Sequence, residues 1–188
     1  MPSHAFNELV VPSNHPPTTT ITTLFSNTPD MSHTTSTTTT HTEIMHLKNV
    51  QIRNNQIRHI SSNAFHLMNS VSEIALTSNQ VEHIARAAFN LVNHAGEKRL
   101  TIKLDSNRLT AASFEEGFIE LNDATSLELD LSHNAIEALK EAVFKPLLAK
   151  NVLIDLTNNP IVCHGADTAW LFKAESSQLL HKLKGVSC

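Results

Sequence analysis

An asparagine that returns every 24 to 28 residues constrains this chain more than any other feature of its sequence. Five stretches end on it: LKNVQIRNN at Asn55, VSEIALTSN at Asn79, RLTIKLDSN at Asn107, SLELDLSHN at Asn134 and NVLIDLTNN at Asn159. Internal repetition at this period implies one supersecondary unit per repeat, each burying its apolar face against the next, which is a solenoid. Just before each asparagine the aliphatic residues alternate: Val50 and Ile52, Ile74 and Leu76, Ile102 and Leu104, Leu129 and Leu131, Ile154 and Leu156. A period of two places them on one face of a short strand. Two residues after each asparagine comes a further aliphatic, Ile57, Val81, Leu109, Ile136 or Ile161, followed by Ile60, Ile84, Ala112 or Leu139 three residues on. Phe65, Phe89 and Phe144 close their turns, with Phe114 or Phe118 in the irregular third unit.

One such unit cannot bury its own apolar face. Stacked in parallel, five share a core in which each buried Leu or Ile contributes roughly 1.5–3 kcal/mol. The asparagines Asn55, Asn79, Asn107, Asn134 and Asn159 have a structural role in this scheme. Where a strand ends and the chain turns inward, backbone groups lose their partners. An amide side chain supplies donors and an acceptor together, and stacked units would form a ladder of such amides.

Composition changes near residue 46. Between Thr18 and Thr42, thirteen of twenty-five residues are threonine, which leaves too little apolar surface to offset the entropy of ordering the segment. The expected organisation is a Thr/His-rich, mostly disordered tail over residues 1–43, repeats over 44–162 and a cap over 163–188. The tail's composition permits O-glycosylation. Met1 to Val11 lacks the basic start and continuous apolar stretch of a signal peptide, and no Asn-x-Ser/Thr acceptor occurs. No apolar run approaches the length of a membrane span.

The pattern LxxLxLxxNxIxxIxxxAF, carried by Leu47 to Phe65 and Val71 to Phe89, resembles the leucine-rich-repeat family. Asn159-Pro160-Ile161-Val162-Cys163, then Trp170-Leu171 and Cys188, is similar to the cysteine-containing C-terminal cap of its extracellular members. Ser126 to Asn134 and Asn151 to Asn159 look like arthropod secreted repeat proteins named for the non-catalytic subunit of the Oplophorus shrimp luciferase. The resemblance implies an α/β solenoid: a curved leucine-rich-repeat stack with a short parallel sheet on its concave face and a small helical C-terminal cap. That cap usually has four cysteines, pairing first with third and second with fourth. Gly165 stands at the second position and no fourth cysteine occurs, so Cys163 and Cys188 match first and third. The resemblance therefore implies a Cys163–Cys188 disulfide, whose loop closure is worth about 3 kcal/mol in the chain-entropy picture. Two buried thiols in a reducing compartment is the alternative. Asp167 is the expected N-cap of a short helix carrying Trp170, Leu171 and Phe172 onto the open end of the stack, with Leu179, Leu180 and Leu183 adding a second apolar face at helical spacing.

If the strands line the concave face, their outward residues are the expected partner surface: Arg53, Glu73, Lys103, Asp105, Glu128, Asp130 and Asp155. In the last three units acids outnumber Lys103, an imbalance that favours a protein partner with a cationic surface. The formal net charge of -4 and the absence of clustered Lys and Arg argue against nucleic acid. Four glycines leave no room for a phosphate-binding loop, and no nucleophile elbow or zinc-hydrolase helix occurs. No cofactor, metal or catalytic group is therefore assigned. His59 and His83 recur at one frame position, without the His-x-x-x-His or Glu-x-x-His spacing of a preformed metal site. The functional expectation is a non-enzymatic binding module, extracellular or secreted by resemblance. A self-associating scaffold, a receptor ectodomain fragment and a cytoplasmic regulator are the alternatives.

Overall fold

The computed structural model describes residues 8–9, 48–66, 68, 70–92, 94 and 99–186. All of them belong to one compact unit, Met1–Val11 with His46–Cys188; the second unit, Pro12–Met45, lies outside the described residues. In chain order the elements are β1 (Glu8–Leu9), β2 (Asn49–Gln51), β3 (His59–Ile60), β4 (Phe65–His66), β5 (Glu73–Ala75), β6 (His83–Ile84) and β7 (Phe89–Leu91). There follow β8 (Leu100–Lys103), β9 (Ile119–Leu121), β10 (Leu127–Asp130), α1 (Glu141–Leu148), β11 (Val152–Asp155) and β12 (Leu183–Lys184).

Among the described residues every strand pairing is parallel. The main sheet has six strands in the order β12-β11-β10-β8-β5-β2, and two three-stranded ladders, β1-β3-β6 and β4-β7-β9, run beside it. The alternation seen in the sequence explains the main sheet's register. Val50 pairs with Ile74, Ile74 with Ile102, Ile102 with Leu129 and Leu129 with Ile154, so each frame meets the next at the same position. Ile74, Leu76, Ile102, Leu104, Leu131 and Leu156 are completely buried. Val50 and Ile52, in the first of the five frames, are only partly buried. Phe65 stacks on Phe89 with ring centroids 5.0 Å apart, and Phe114 meets Phe144 edge-on at 5.4 Å.

Several expectations change at this level. Ala112 is exposed; Phe114 takes the place opposite Ile84, because two extra residues follow Asn107 in that frame. The register partner of Phe89 is Ile119, neither Phe114 nor Phe118. Phe144 lies within a helix, α1, whose buried face also carries Val143, Leu147 and Leu148. At the C-terminal end, Trp170 and Leu171 are buried in a single 3-10 turn, Ala169–Phe172, while Phe172 is 36 % exposed. The residue at its N-cap is Thr168, not Asp167, and its hydroxyl is engaged elsewhere, accepting the Leu139 N–H at 3.2 Å. Trp170 Nε1 donates to the Leu139 carbonyl at 2.6 Å, fixing the turn to the preceding frame.

Leu179 and Leu180 sit on a second 3-10 helix, Ser177–Lys182, but Leu183 begins β12, a sixth strand of the sheet. Leu183 pairs with Ile154 and Lys184 with Asp155. Gly185 makes this addition possible. Its φ is +83°, and a Cβ there would lie 2.3 Å from the Thr157 backbone nitrogen, so only glycine fits. Cys163 is 9 % exposed, and Cys188, its expected disulfide partner, lies outside the described residues. Of the tail expected over 1–43, only Glu8–Leu9 is described. It forms β1, with Glu8 opposite His59 and Leu9 opposite Ile60. No described helix is long and apolar enough to cross a membrane.

Candidate functional site: the outward face of the six-stranded sheet

Because buried aliphatics occupy every second position, the residues between them form rows across the outward face. One row runs Asn49, Glu73, Thr101, Glu128 and Leu153; the next runs Gln51, Ala75, Lys103, Asp130, Asp155 and Lys184. Neighbours in a row are about 4.8 Å apart along the hydrogen-bonding direction, close enough for charges to couple.

The turns that end the strands are held by the asparagines. Asn107 Oδ1 accepts the Val81 N–H at 2.9 Å while its Nδ2 donates to the Leu76 and Leu104 carbonyls. Asn134 does the same with Leu109 N–H (3.1 Å) and the Leu104 and Leu131 carbonyls. Asn79 joins the Ile57 N–H to the Ile52 and Leu76 carbonyls, and Asn159 joins the Ile136 N–H to those of Leu131 and Leu156. Asn55 differs. Among the described residues it is exposed and donates only to the Arg53 carbonyl, and β2, the strand before it, is the end strand of the described sheet.

The residue before each asparagine, Asn54, Ser78, Ser106, His133 or Asn158, has φ between 55° and 59°. A second left-handed row, Asn63, Ala87 and Gly117, precedes β4, β7 and β9. The sequence reading missed both rows. The signal was faint: Asn, Ser and His tolerate this region and glycine favours it, but Ala87 gives no hint.

The expected excess of unpartnered acid on the face is corrected. Glu73 accepts from Lys103 Nζ at 2.5 Å and from Arg53 at 3.3 Å, with Gln51 adding a third donor at 3.2 Å. The Lys103 hydrogen bond is the chief reason its carboxyl is held below the ordinary 4.5 of a glutamate, with Arg53 and Gln51 assisting against partial burial. Glu128 pairs with Arg99, just ahead of β8, at 3.0 Å. Asp155 pairs with Lys184 at 2.6 Å. Burial alone would raise the Asp155 carboxyl, but the bonds from Lys184 and Thr157 outweigh it and leave it below 3.8. Sequence counting missed Lys184 because nothing in the spacing announces β12, and missed Arg99 because it lies outside the strand.

Two expected residues have no ion pair among the described residues. Asp105 accepts the Thr77 hydroxyl at 2.7 Å. Asp130 Oδ1 accepts the Ser132 N–H at 2.9 Å, and its register neighbour Lys103 is turned to Glu73 instead. Asp130 lies in a groove of about 420 Å³ between the sheet face and the Ser177–Lys182 helix. Leu153, one strand over and 39 % exposed, also lines it.

The other histidine-bearing feature is on the β1-β3-β6 ladder. His59 and His83 are register partners with rings 6.1 Å apart, facing Glu82 at 3.7 Å and Glu115 at 3.1 Å respectively. Among the described residues no three of His, Cys, Asp or Glu are grouped to hold a metal ion. No family model matches the chain, and no curated protein matches it.

Proposed function

We propose that this chain is a leucine-rich-repeat solenoid that binds a protein partner through the outward face of its six-stranded sheet, its concave face if the stack curves as the family's do. The observation that carries the reading is the register. Frame positions align strand by strand, so outward residues form continuous rows while their neighbours supply the core. A surface built this way is rigid and broad, and its residues vary independently of the fold, which suits recognition of another protein. Exposed Leu153 in the groove, ringed by charged residues, has the composition of an interface anchor. No catalytic role is proposed for it.

The proposed location is extracellular. The support is the likeness of the cap to secreted repeat proteins, with Cys163 buried in it. The proposed partner of Cys163 is Cys188, the only other cysteine in the sequence. Expression through a secretory pathway, followed by peptide mapping before and after reduction, tests this; two free thiols in folded, exported protein would refute it. The face is tested by placing a photo-crosslinking residue at Leu153 or at Val92, which is 43 % exposed and lies just beyond β7. A discrete adduct from position 153 with none from 92 is expected. Adducts from 92 alone would place the interface elsewhere, and a dimer adduct from 153 would make the partner a second copy.

A further inference from the structure

Charge commitment in the groove singles out one group. Lys103 is bound to Glu73, Lys184 to Asp155 and Glu128 to Arg99. Lys182 Nζ is turned away, donating to the Leu148 and Lys150 carbonyls at 2.6 Å each, where it closes the end of α1. Of the three carboxylates lining the groove, Asp130 is the one without an ion pair among the described residues, and its hydrogen bond uses Oδ1, leaving Oδ2 open. The charge of Lys184 reaches Asp130 as well as Asp155, but neither neighbouring lysine can bond Asp130 directly without giving up a closer partner. Lys103 would have to leave a 2.5 Å contact and Lys184 a 2.6 Å contact.

Beside this carboxylate stands an apolar surface. Leu153 is opposite Glu128 in register, two residues short of Asp155, so its side chain is diagonal to Asp130. Diagonal neighbours on a sheet face lie within reach of one long side chain. A volume near 420 Å³ admits one or two side chains and not a folded surface.

Resting on the reading of this face as a protein interface, we propose that the groove is a socket for a lysine or arginine side chain of the partner. The aliphatic stem lies along Leu153 and the cationic head reaches Asp130 Oδ2. Arginine and lysine combine an apolar stem with a charged end, which is what the two groups require. An anionic residue finds no free lysine here, because each lysine lining the groove is already bonded, and His181, also on the lining, holds the Gln178 carbonyl through Nδ1. A purely aliphatic residue leaves Asp130 desolvated and unpaired, which disfavours it.

The test uses the full chain and four blocked amino-acid amides, those of arginine, lysine, norleucine and glutamate, followed by NMR at the Leu153 methyls and the Asp130 amide. Saturable shifts at both positions are expected with the arginine or the lysine amide and not with norleucine or glutamate. D130N keeps an oxygen for the Ser132 N–H and should fold normally, while weakening the cationic amide about fivefold, the scale of one partly exposed charge pair. L153A should weaken it as well, because the stem loses its contact. Equal binding by D130N, or equal binding of the glutamate amide, overturns the socket. An adduct from position 153 with no shift from either cationic amide would leave the interface standing and overturn the socket alone. Amide shifts with no adduct would support the socket and count against the interface.

Discussion

Replacing Asn134 by alanine removes the two hydrogen bonds that join it to the preceding frame, from the Leu109 N–H and to the Leu104 carbonyl. It also removes the bonds to the Leu131 and Ser132 carbonyls of its own frame, and the structure says how unequal they all are. The Leu109 N–H has Asn134 Oδ1 as its one acceptor among the described residues, at 3.1 Å, and Leu109 is completely buried. Leaving that donor unpaired costs about 1–3 kcal/mol. The carbonyls fare better: Leu104 keeps the amide of Asn107, Leu131 keeps that of Asn159 and Ser132 keeps the Ser106 N–H. The two amide protons are shared among these carbonyls, so their loss costs about 1–2 kcal/mol together, for a total of about 2–5 kcal/mol. At about 2–4 °C per kcal/mol for a chain of this size, the melting temperature should fall by about 4–20 °C. Asn55→Ala is the internal control. Its amide makes one exposed bond to the Arg53 carbonyl, so the change should stay within about 0.5 kcal/mol. The assay is calorimetry and urea unfolding of both variants beside the parent protein. Equal losses from Asn134→Ala and Asn55→Ala would refute the reasoning, since only one of them joins frames.

Ala87 holds φ at 53° in the row where Gly117 holds 71°. Ala87→Gly should stabilise by about 0.5–1 kcal/mol and Gly117→Ala should destabilise by about 1 kcal/mol, read as opposite shifts of the urea midpoint. Gly117→Ala meets nothing closer than Arg86 Cγ at 3.8 Å, so its cost isolates the backbone. Gly185→Ala should detach β12, appearing as lost hydrogen-exchange protection at the Leu156 amide, which donates to the Lys184 carbonyl at 2.8 Å; unchanged protection there would refute the close approach. Acid should weaken the fold in a defined window. Glu73 and Asp155 are held below their ordinary 4.5 and 3.8, so their contribution is complete above those values and is lost as pH falls through the lower folded ones. Lys103→Met should flatten the part of that loss due to Glu73, measured by urea unfolding at a series of acid pH values.

The sequence made the core of this fold legible because the relevant physics is local. Alternation of Leu129 and Leu131 with polar residues states which side chains face inward whatever lies beside them, and Asn134 marks where that strand stops. The outward face was legible as a set of residues and illegible as a charge pattern. Whether Asp155 stands alone depends on Lys184, which arrives from the next segment through β12. Glu128 likewise depends on a long arginine side chain reaching over from a position outside the strand. The third frame shows the other limit. Phe114, Phe118 and Ile119 are all apolar and closely spaced, so periodicity could not decide which continues the Phe89 ladder; backbone pairing gave it to Ile119.

The unequal spacing of the frames has a consequence for how such a chain can change. Asn79 and Asn107 are 28 residues apart and Asn55 and Asn79 only 24, yet Glu73 still meets Thr101 as Asn49 meets Glu73. By sequence the surplus falls between Leu91 and Leu100 and after Asn107, in the segments that join one main-sheet strand to the next. Insertions and deletions in those segments are silent for the outward rows, while substitutions within the rows are silent for the core. Lineages of such a protein can thus alter length and specificity as separate inheritances, neither one forcing a compensating change in the other.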